Sequence, residues 1–285
     1  MKSFVNLCVS FELLCDIAFT VSQSNTEKTR SITEKKKNIM KKIITYIFLL
    51  AGITSYAQHN PDAKTIIDKV DYNMSSDTKI TKSQMVVYGR RNSRTLESIS
   101  YTKGHADSYT EYLAPEREKG TKMLKLEDRL WIYTPSTDRT IQLSGHMLRQ
   151  SVMGSDLSYE DMMEDRKLLE IYDAVVIGEE SINDQSCWVL ELNAKVDDAA
   201  YVKRKMWIEK AHYVPLKEEL FAKSGQLLKK TEMSDIRQVD GRWYPFKINY
   251  KDMLKDGKGT DFIVLEVQID AEIPPHILTK AALRK

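Results

Sequence analysis

The sequence has little cysteine, little histidine and no long apolar run. Cysteine occurs three times in 285 residues, and two of the three, Cys8 and Cys15, lie before residue 57. From residue 58 onward Cys187 stands alone, so no disulfide can close within that part of the chain. Gln58, not a cysteine, directly follows Ala57, which removes the usual acceptor for an N-terminal lipid. The five histidines (His59, His105, His146, His212, His276) are not spaced from one another, or from carboxylate clusters, as metal ligands are. There is no Gly-x-Ser-x-Gly elbow and no phosphate-cradling glycine loop. "GSDLS" at 154–158 is read as a loop running into a helix cap. Hydrolysis would need a nucleophile and a base in contact, and no motif supplies them. The expectation is a protein that is not an enzyme, with no metal and no cofactor.

The longest apolar run, Ile43 to Ile53, is too short to span a bilayer. The other, Phe4 to Val21, is interrupted by Glu12 and Asp16. What surrounds the first run is informative. Met40 is followed by Lys41 and Lys42, then by the apolar run, then by Ser55-Tyr56-Ala57, with small residues where a signal peptidase reads. Residues 40–57 are therefore expected to be a signal peptide and residues 1–39 a mis-annotated, disordered extension upstream of the true start. The mature product is then a single domain over 58–285, exported and not lipid-anchored. Residues 1–57 carry 8 basic and 4 acidic side chains, which leaves 35 and 37 in the remainder, a net charge of −2. That balance gives no reason to expect nucleic acid as a partner.

Along the mature chain, "HNPDAKTIIDKVDYNM" predicts a helix. Asn60 is placed as its cap, Pro61 in its first turn, and Ile66, Val70 and Met74 on one face at i, i+4, i+8. From Ser83 the pattern changes to short alternating runs with turn residues between them, ten or eleven strands in mostly antiparallel hairpins. Asn183-Asp184, Ser224-Gly225, Asp240-Gly241 and Asp256-Gly257 supply turns that need positive φ. Pro274-Pro275 ends the last strand, and "HILTKAALRK" is expected to close the chain as a short helix.

One segment breaks the strand pattern. "SGHMLRQSVMGSDLSYEDMME" runs from Ser144 to Glu164, carries four methionines and two glycines, and offers Ser158 with Asp161 as a helix cap. Alternation elsewhere puts Trp188, Leu190 and Leu192 on one side of a strand. It does the same for Met206 with Ile208, for Phe246, Ile248 and Tyr250, and for Ile263, Leu265, Val267 and Ile269. A sheet with one apolar face must cover it. The few helical segments either pack that face dry or roof a cavity for a greasy ligand, where flexible methionine suits variable apolar partners.

"GTKMLKLEDRLWIYTPSTDRTIQLSGHMLRQSVMGSDLSYEDM" resembles the outer-membrane lipoprotein-sorting (LolA-like) family, with "DRLWIYTP" matching its strand that ends in Leu-Trp, an aromatic and Pro. "WIEKAHYVPLKEELFAKSGQLLKKTEMSDIRQVDGRWYPFKI" resembles its later hairpins, and the likeness covers most of 60–285. The resemblance implies an α+β, mainly β fold: a half-open, curved antiparallel sheet, an incomplete barrel, with helices over its concave face. It implies a periplasmic carrier that binds the acyl chains of a lipoprotein or lipid for transfer towards the outer membrane. An inner-membrane exporter and an outer-membrane receiver would be its partners, and a monomer is expected. The other reading is a non-catalytic β-rich module that docks on an envelope lipid exporter or membrane complex.

The cavity and lid implied by the resemblance take in three groups of residues. Ile66, Val70 and Met74 come from the first helix, and Met147, Leu148, Val152, Met153 and Met162 from the methionine-rich segment. Leu124, Leu126, Trp131, Trp188, Leu190, Met206, Ile208 and Ile248 come from the strands. Family members start an early strand with Arg-Pro, whose arginine holds the lid shut. The comparable place here is "YTKGHADSY", which leaves Lys103 either as a lid contact or as a turn lysine beside Gly104. A lysine is a point charge without the arginine fork, which predicts a looser lid.

Overall fold

The computed structural model describes residues 61–89, 91–164 and 166–284. The expected extension 1–39 and leader 40–57, and also His59 and Asn60, lie outside the described residues. The helix α1 (Ala63–Met74) starts later than the sequence suggests. Pro61 lies before it, and Asp62 precedes it in non-helical backbone (φ −55°, ψ 140°) without a side-chain capping bond.

Thirteen strands follow. The first six are β1 (Thr78–Tyr88), β2 (Ser93–Lys103), β3 (Asp107–Ala114), β4 (Lys122–Leu126), β5 (Arg129–Thr134) and β6 (Arg139–Leu143). After the interrupting segment come β7 (Tyr172–Ile182), β8 (Gln185–Ala194), β9 (Lys203–Glu209), β10 (Pro215–Phe221), β11 (Leu227–Val239), β12 (Arg242–Asp252) and β13 (Thr260–Ile269). Every stretch with the strand pattern is strand, and the long ones fold back at their turn residues, which is why there are more than ten or eleven. Asn183 and Asp184 (φ 48° and 64°) turn β7 into β8, and Asp240 and Gly241 (φ 47° and 79°) turn β11 into β12.

All thirteen strands form one antiparallel sheet in the order β6-β5-β4-β3-β2-β1-β13-β12-β11-β10-β9-β8-β7. The pairing of β1 with β13 joins two meanders, and β6 and β7 are the free edges, so the sheet curls without closing into a barrel. The interrupting segment consists of 3-10 turns at Gly145–Arg149 and Val152–Gly154 and of two short helices, α2 (Tyr159–Met163) and α3 (Leu168–Ile171). The chain ends in a 3-10 turn (Lys280–Arg284), not an α-helix.

The register traces one face across the whole sheet. Trp188 pairs with Ile208, Met206 with Glu218, Glu218 with Thr231 and Thr231 with Tyr250. Ile248 pairs with Phe262, Phe262 with Met85, Met85 with Leu96, Ser98 with Tyr112 and Thr110 with Met123. α1 and the 144–164 segment both pack on this face, which is the concave one. The opposite face carries Tyr109, Leu124 and Trp131 under the C-terminal turn, and Cys187, Val189, Trp207 and Leu216 further along.

One reading of alternation fails in β13. Val264 is buried and Leu265 is 40% exposed, the reverse of the expected phase. Lys82 faces Glu266 but Ser83 faces Val264, so Leu265 is an extra residue, a bulge that flips the faces on either side of it. Phe262 and Val264 therefore share the inward side with Val267.

Candidate functional site

The concave face is covered in two different ways. Under α1, Ile66, Ile67 and Val70 meet Trp188, Leu190, Leu192, Met206 and Ile208, with Met74 at the margin. Ile66, Ile67, Leu190, Leu192 and Ile208 are wholly buried, so this half is a filled core. At its C-terminal end α1 is pinned by Asn73. Its amide donates to the carbonyls of His212 (2.7 Å) and Tyr213 (3.3 Å) and accepts from the backbone N–H of Trp243 (3.1 Å).

Under the 144–164 segment the face is not filled. A cavity of about 170 Å³ lies between Val152, Leu157 and Met162 above and Met85, Met123, Tyr112, Tyr250 and Phe262 below. Ser98, Ser100 and Thr110 complete its wall, and two of these hydroxyls pair with each other, Ser100 with Thr110 at 2.9 Å. Burial pushes the phenols of Tyr112 and Tyr250 well above their ordinary pKa, so both stay uncharged. The site is therefore neutral and mostly apolar.

The segment over this cavity is held by polar ties. Ser158 and Asp161 form a capping box, with Asp161 N–H donating to Ser158 Oγ (3.2 Å) and Ser158 N–H to Asp161 Oδ2 (2.8 Å). The same carboxylate receives Lys229 of β11 on Oδ2 and the Tyr201 hydroxyl on Oδ1 (2.6 Å). Burial pushes the Asp161 carboxyl up, but the Lys229 ammonium and the hydrogen bonds from Lys229, Tyr201 and Ser158 outweigh it and hold the pKa below the ordinary 3.8. Asp156 accepts from Thr260 Oγ1 (2.8 Å) and from Asp252 N–H (3.0 Å). Lys125 of β4 donates to the carbonyls of Met163 and His105 (both 3.1 Å), Arg94 of β2 donates to the Met153 carbonyl, and Lys255 donates to Ser151 Oγ (2.7 Å) and the Ser155 carbonyl (2.9 Å). Met153 itself sits at φ 48°, a strained conformation for methionine, at the residue whose carbonyl Arg94 holds.

Residues 104–285 match a family model whose description reads "-like: Uncharacterized protein". The chain belongs to that family. No curated protein matches the sequence. Among solved structures, an outer membrane lipoprotein-sorting protein domain from Vibrio parahaemolyticus is 22% identical with a TM-score of 0.67, covering 78% of this chain and 97% of its own. A LolA superfamily protein from Nitrosomonas europaea is 24% identical with a TM-score of 0.65, over 78% of this chain and all of its own. A DUF1329 family protein from Desulfovibrio piger is 22% identical with a TM-score of 0.69, over 78% and 98%. The fold is LolA-like, as the sequence resemblance implies: mainly β, half-open, with helices on the concave face.

The LolA-like frame places the expected site residues unevenly. Val152 and Met162 line the cavity, and Met147, Leu148 and Met153 pack around it. Ile248 is buried on the same face, two positions from Tyr250. Ile66, Val70, Met74, Trp188, Leu190, Met206 and Ile208 belong to the filled half beside it. Leu124, Leu126 and Trp131 are corrections: they face the other side, under Ala282 and Leu283, because the inward phase of β4 falls on Met123 and Lys125. Lys103 fits the second of its two readings, the turn lysine. It is exposed at the end of β2 opposite Asp107, beside the turn at Gly104 (φ 57°), and the ties to the segment come from other side chains. Those side chains (Arg94, Lys125, Lys229, Thr260) are polar residues at inward positions of their strands, which alternation read by polarity takes for exposed ones.

Proposed function

We propose that the protein is a non-catalytic periplasmic carrier that shields the acyl chains of a lipoprotein or lipid under the 144–164 lid on their way towards the outer membrane. The observation that carries this reading is the neutral apolar cavity roofed by a segment that is tied down by side chains and has almost no regular backbone pairing. About 170 Å³ is small beside the roughly 300–1,000 Å³ of ordinary ligand pockets. In this reading the arrangement is the closed one, and an acyl chain enters as the lid lifts off Met123 and Phe262. Methionines at 147, 153, 162 and 163 suit such a lid, because their side chains re-pack around chains of different shape.

In this reading the signal peptide at 40–57 is removed, residues 58–285 form the working domain, and cargo arrives from an inner-membrane exporter and leaves to an outer-membrane receiver. Among the described residues no helix is long and apolar enough to cross a membrane. Mass spectrometry of what co-purifies with the exported protein tests the proposal, together with titration of the delipidated protein with a fluorescent fatty acid. Acylated species and saturable binding are expected. A protein that carries nothing and does not bind the probe would leave only the docking-module reading.

A further inference from the structure

An exposed apolar pair stands beside the 144–164 segment, in the loop between β12 and β13. Leu254 is 65% exposed and Met253 42%. The loop is built to present them. Met253 N–H donates to the Leu228 carbonyl (2.8 Å), Leu254 N–H to Asp252 Oδ1 (3.0 Å) and Lys255 N–H to the Asp252 carbonyl (3.1 Å). The apolar pair is thus fixed outward. Cationic side chains flank it: Lys255 and Lys258 on the loop itself, Lys251 near the end of β12, and Arg149 across a groove that Leu254 shares with Leu228 and Tyr201. Four carboxylates lie nearby: Asp156 is engaged by Thr260, Asp252 by the loop backbone and by Lys255 (3.5 Å), Asp256 lies on the loop, and Glu160 lines the groove.

We propose that this loop is a membrane-contact tip, in which Met253 and Leu254 enter the headgroup region of an anionic bilayer while the flanking lysines pair with lipid phosphates. An apolar tip flanked by lysine matches such a surface. The side chains gain by leaving water, and lysine stems run along the apolar region with their ammonium groups among the phosphates. The loop also touches the lid, because Lys255 ties Ser151 and the Ser155 carbonyl. A phosphate that draws Lys255 away releases that tie where cargo would be handed over. This last consequence rests on the carrier reading, whereas contact with the bilayer does not.

Co-sedimentation with vesicles tests it, using phosphatidylcholine alone and phosphatidylcholine with a quarter phosphatidylglycerol. The wild-type protein is expected to sediment with the anionic vesicles, less so at high salt. The double change Met253→Ser, Leu254→Ser should lower the partition coefficient at least about tenfold. Lys251→Gln with Lys258→Gln should weaken binding to the anionic vesicles only. Tyr72→Ser is the control: Tyr72 is 59% exposed, and its ring contacts Arg242, at the far end of β12, about 33 Å away for an 11-residue strand. Its partition should match wild type. All of these positions are exposed or half-buried, and a melting curve matching wild type confirms the fold. Equal partition of the double variant and wild type overturns the proposal, as does an equal loss in Tyr72→Ser. Wild type sedimenting with neither vesicle also overturns it and leaves the tip to a protein partner. If the expected vesicle pattern appears but the protein binds no fluorescent fatty acid, the carrier reading fails and the tip stands.

Discussion

The two halves of the concave face solve one problem in opposite ways. The α1 half is closed by a regular 12-residue helix whose apolar stripe meets the apolar strand face of β8 and β9, with Ile66 and Ile67 wholly buried between them. The lid half is closed by two 3-10 turns and a five-residue helix, leaves a cavity, and relies on charged and hydroxyl side chains to stay down. Extensive hydrophobic burial, here reinforced by the Asn73 hydrogen bonds, is hard to undo locally. A few polar ties over a poorly filled space can be exchanged for other partners, including water, at small net cost. On the carrier reading, the difference assigns stability to one half and movement to the other.

Breaking the filled half should have the largest effect. Ile66 is wholly buried between α1 and the sheet. Ile66→Ala should lower global stability by about 2–5 kcal/mol, read from urea unfolding, because a rigid site cannot collapse around the missing atoms. Acyl-probe affinity under native conditions should change little. A large loss of affinity without loss of stability would show that the α1 half also takes part in binding.

A charge placed under the lid is the converse test. Val152 is 3% exposed and lines the cavity. Val152→Asp puts an unpaired carboxylate against apolar surface, at a cost of several kcal/mol that the chain escapes by lifting the lid into water. Probe binding should fall at least tenfold while far-ultraviolet circular dichroism and the main unfolding transition persist. A folded variant that binds the probe normally would remove the lid from the ligand site.

The next effect is the latch at Asp161. Asp161 and Lys229 retain only 16% and 17% side-chain exposure, so Asp161→Asn strands a largely buried ammonium. The cost is about 1–3 kcal/mol, below that of a fully buried pair because both groups keep some water. It should appear as faster release of the probe and faster amide exchange in 145–164. The pH dependence has a definite sign. The folded carboxyl titrates below the ordinary 3.8, so its contribution is complete above that value and is lost as the pH falls through the lower folded value. Release from the wild-type protein should accelerate on acidification below about pH 4, and the Asn variant should lack that step. An identical acid profile in both proteins would mean that the lid does not depend on Asp161.

Much of this contrast was legible in the sequence. The i, i+4, i+8 stripe gave α1, the methionine-rich interruption gave the segment that covers the cavity, and Ser158 with Asp161 gave a true capping box. Two physical features hid the rest. Bulges such as the one at Leu265 change the phase of alternation without any local signal. Inward-facing lysines look like solvent-facing ones when alternation is read by polarity: Lys125 in "KMLKL" made Leu124 seem the inward residue, although Met123 and Lys125 share the concave side. Lid ties have to be polar, and polarity is what alternation reads as exposure, so the ties were the least visible part of the site.

The smallest effects separate Arg94 from Lys103. Arg94 reaches from β2 to the Met153 carbonyl and lies 3.6 Å from Glu118, but its side chain is 42% exposed. Lys103 ends the same strand and is exposed beside a turn. Arginine can hold a carbonyl and a carboxylate at once through its fork, whereas lysine offers a single ammonium with no fixed directions. Exposure limits what the Arg94 tie adds to about 1 kcal/mol or less. Arg94→Ala should therefore speed probe release only a few-fold in stopped flow, Arg94→Lys should fall between Ala and wild type, and added salt should narrow all three differences because the Glu118 partner is screened. Lys103→Ala and Lys103→Arg should both release at the wild-type rate. A slower rate in Lys103→Arg would bring Lys103 back as a lid contact, and equal rates across the Arg94 series would leave Lys125, Lys229 and Lys255 as the side chains that hold the lid.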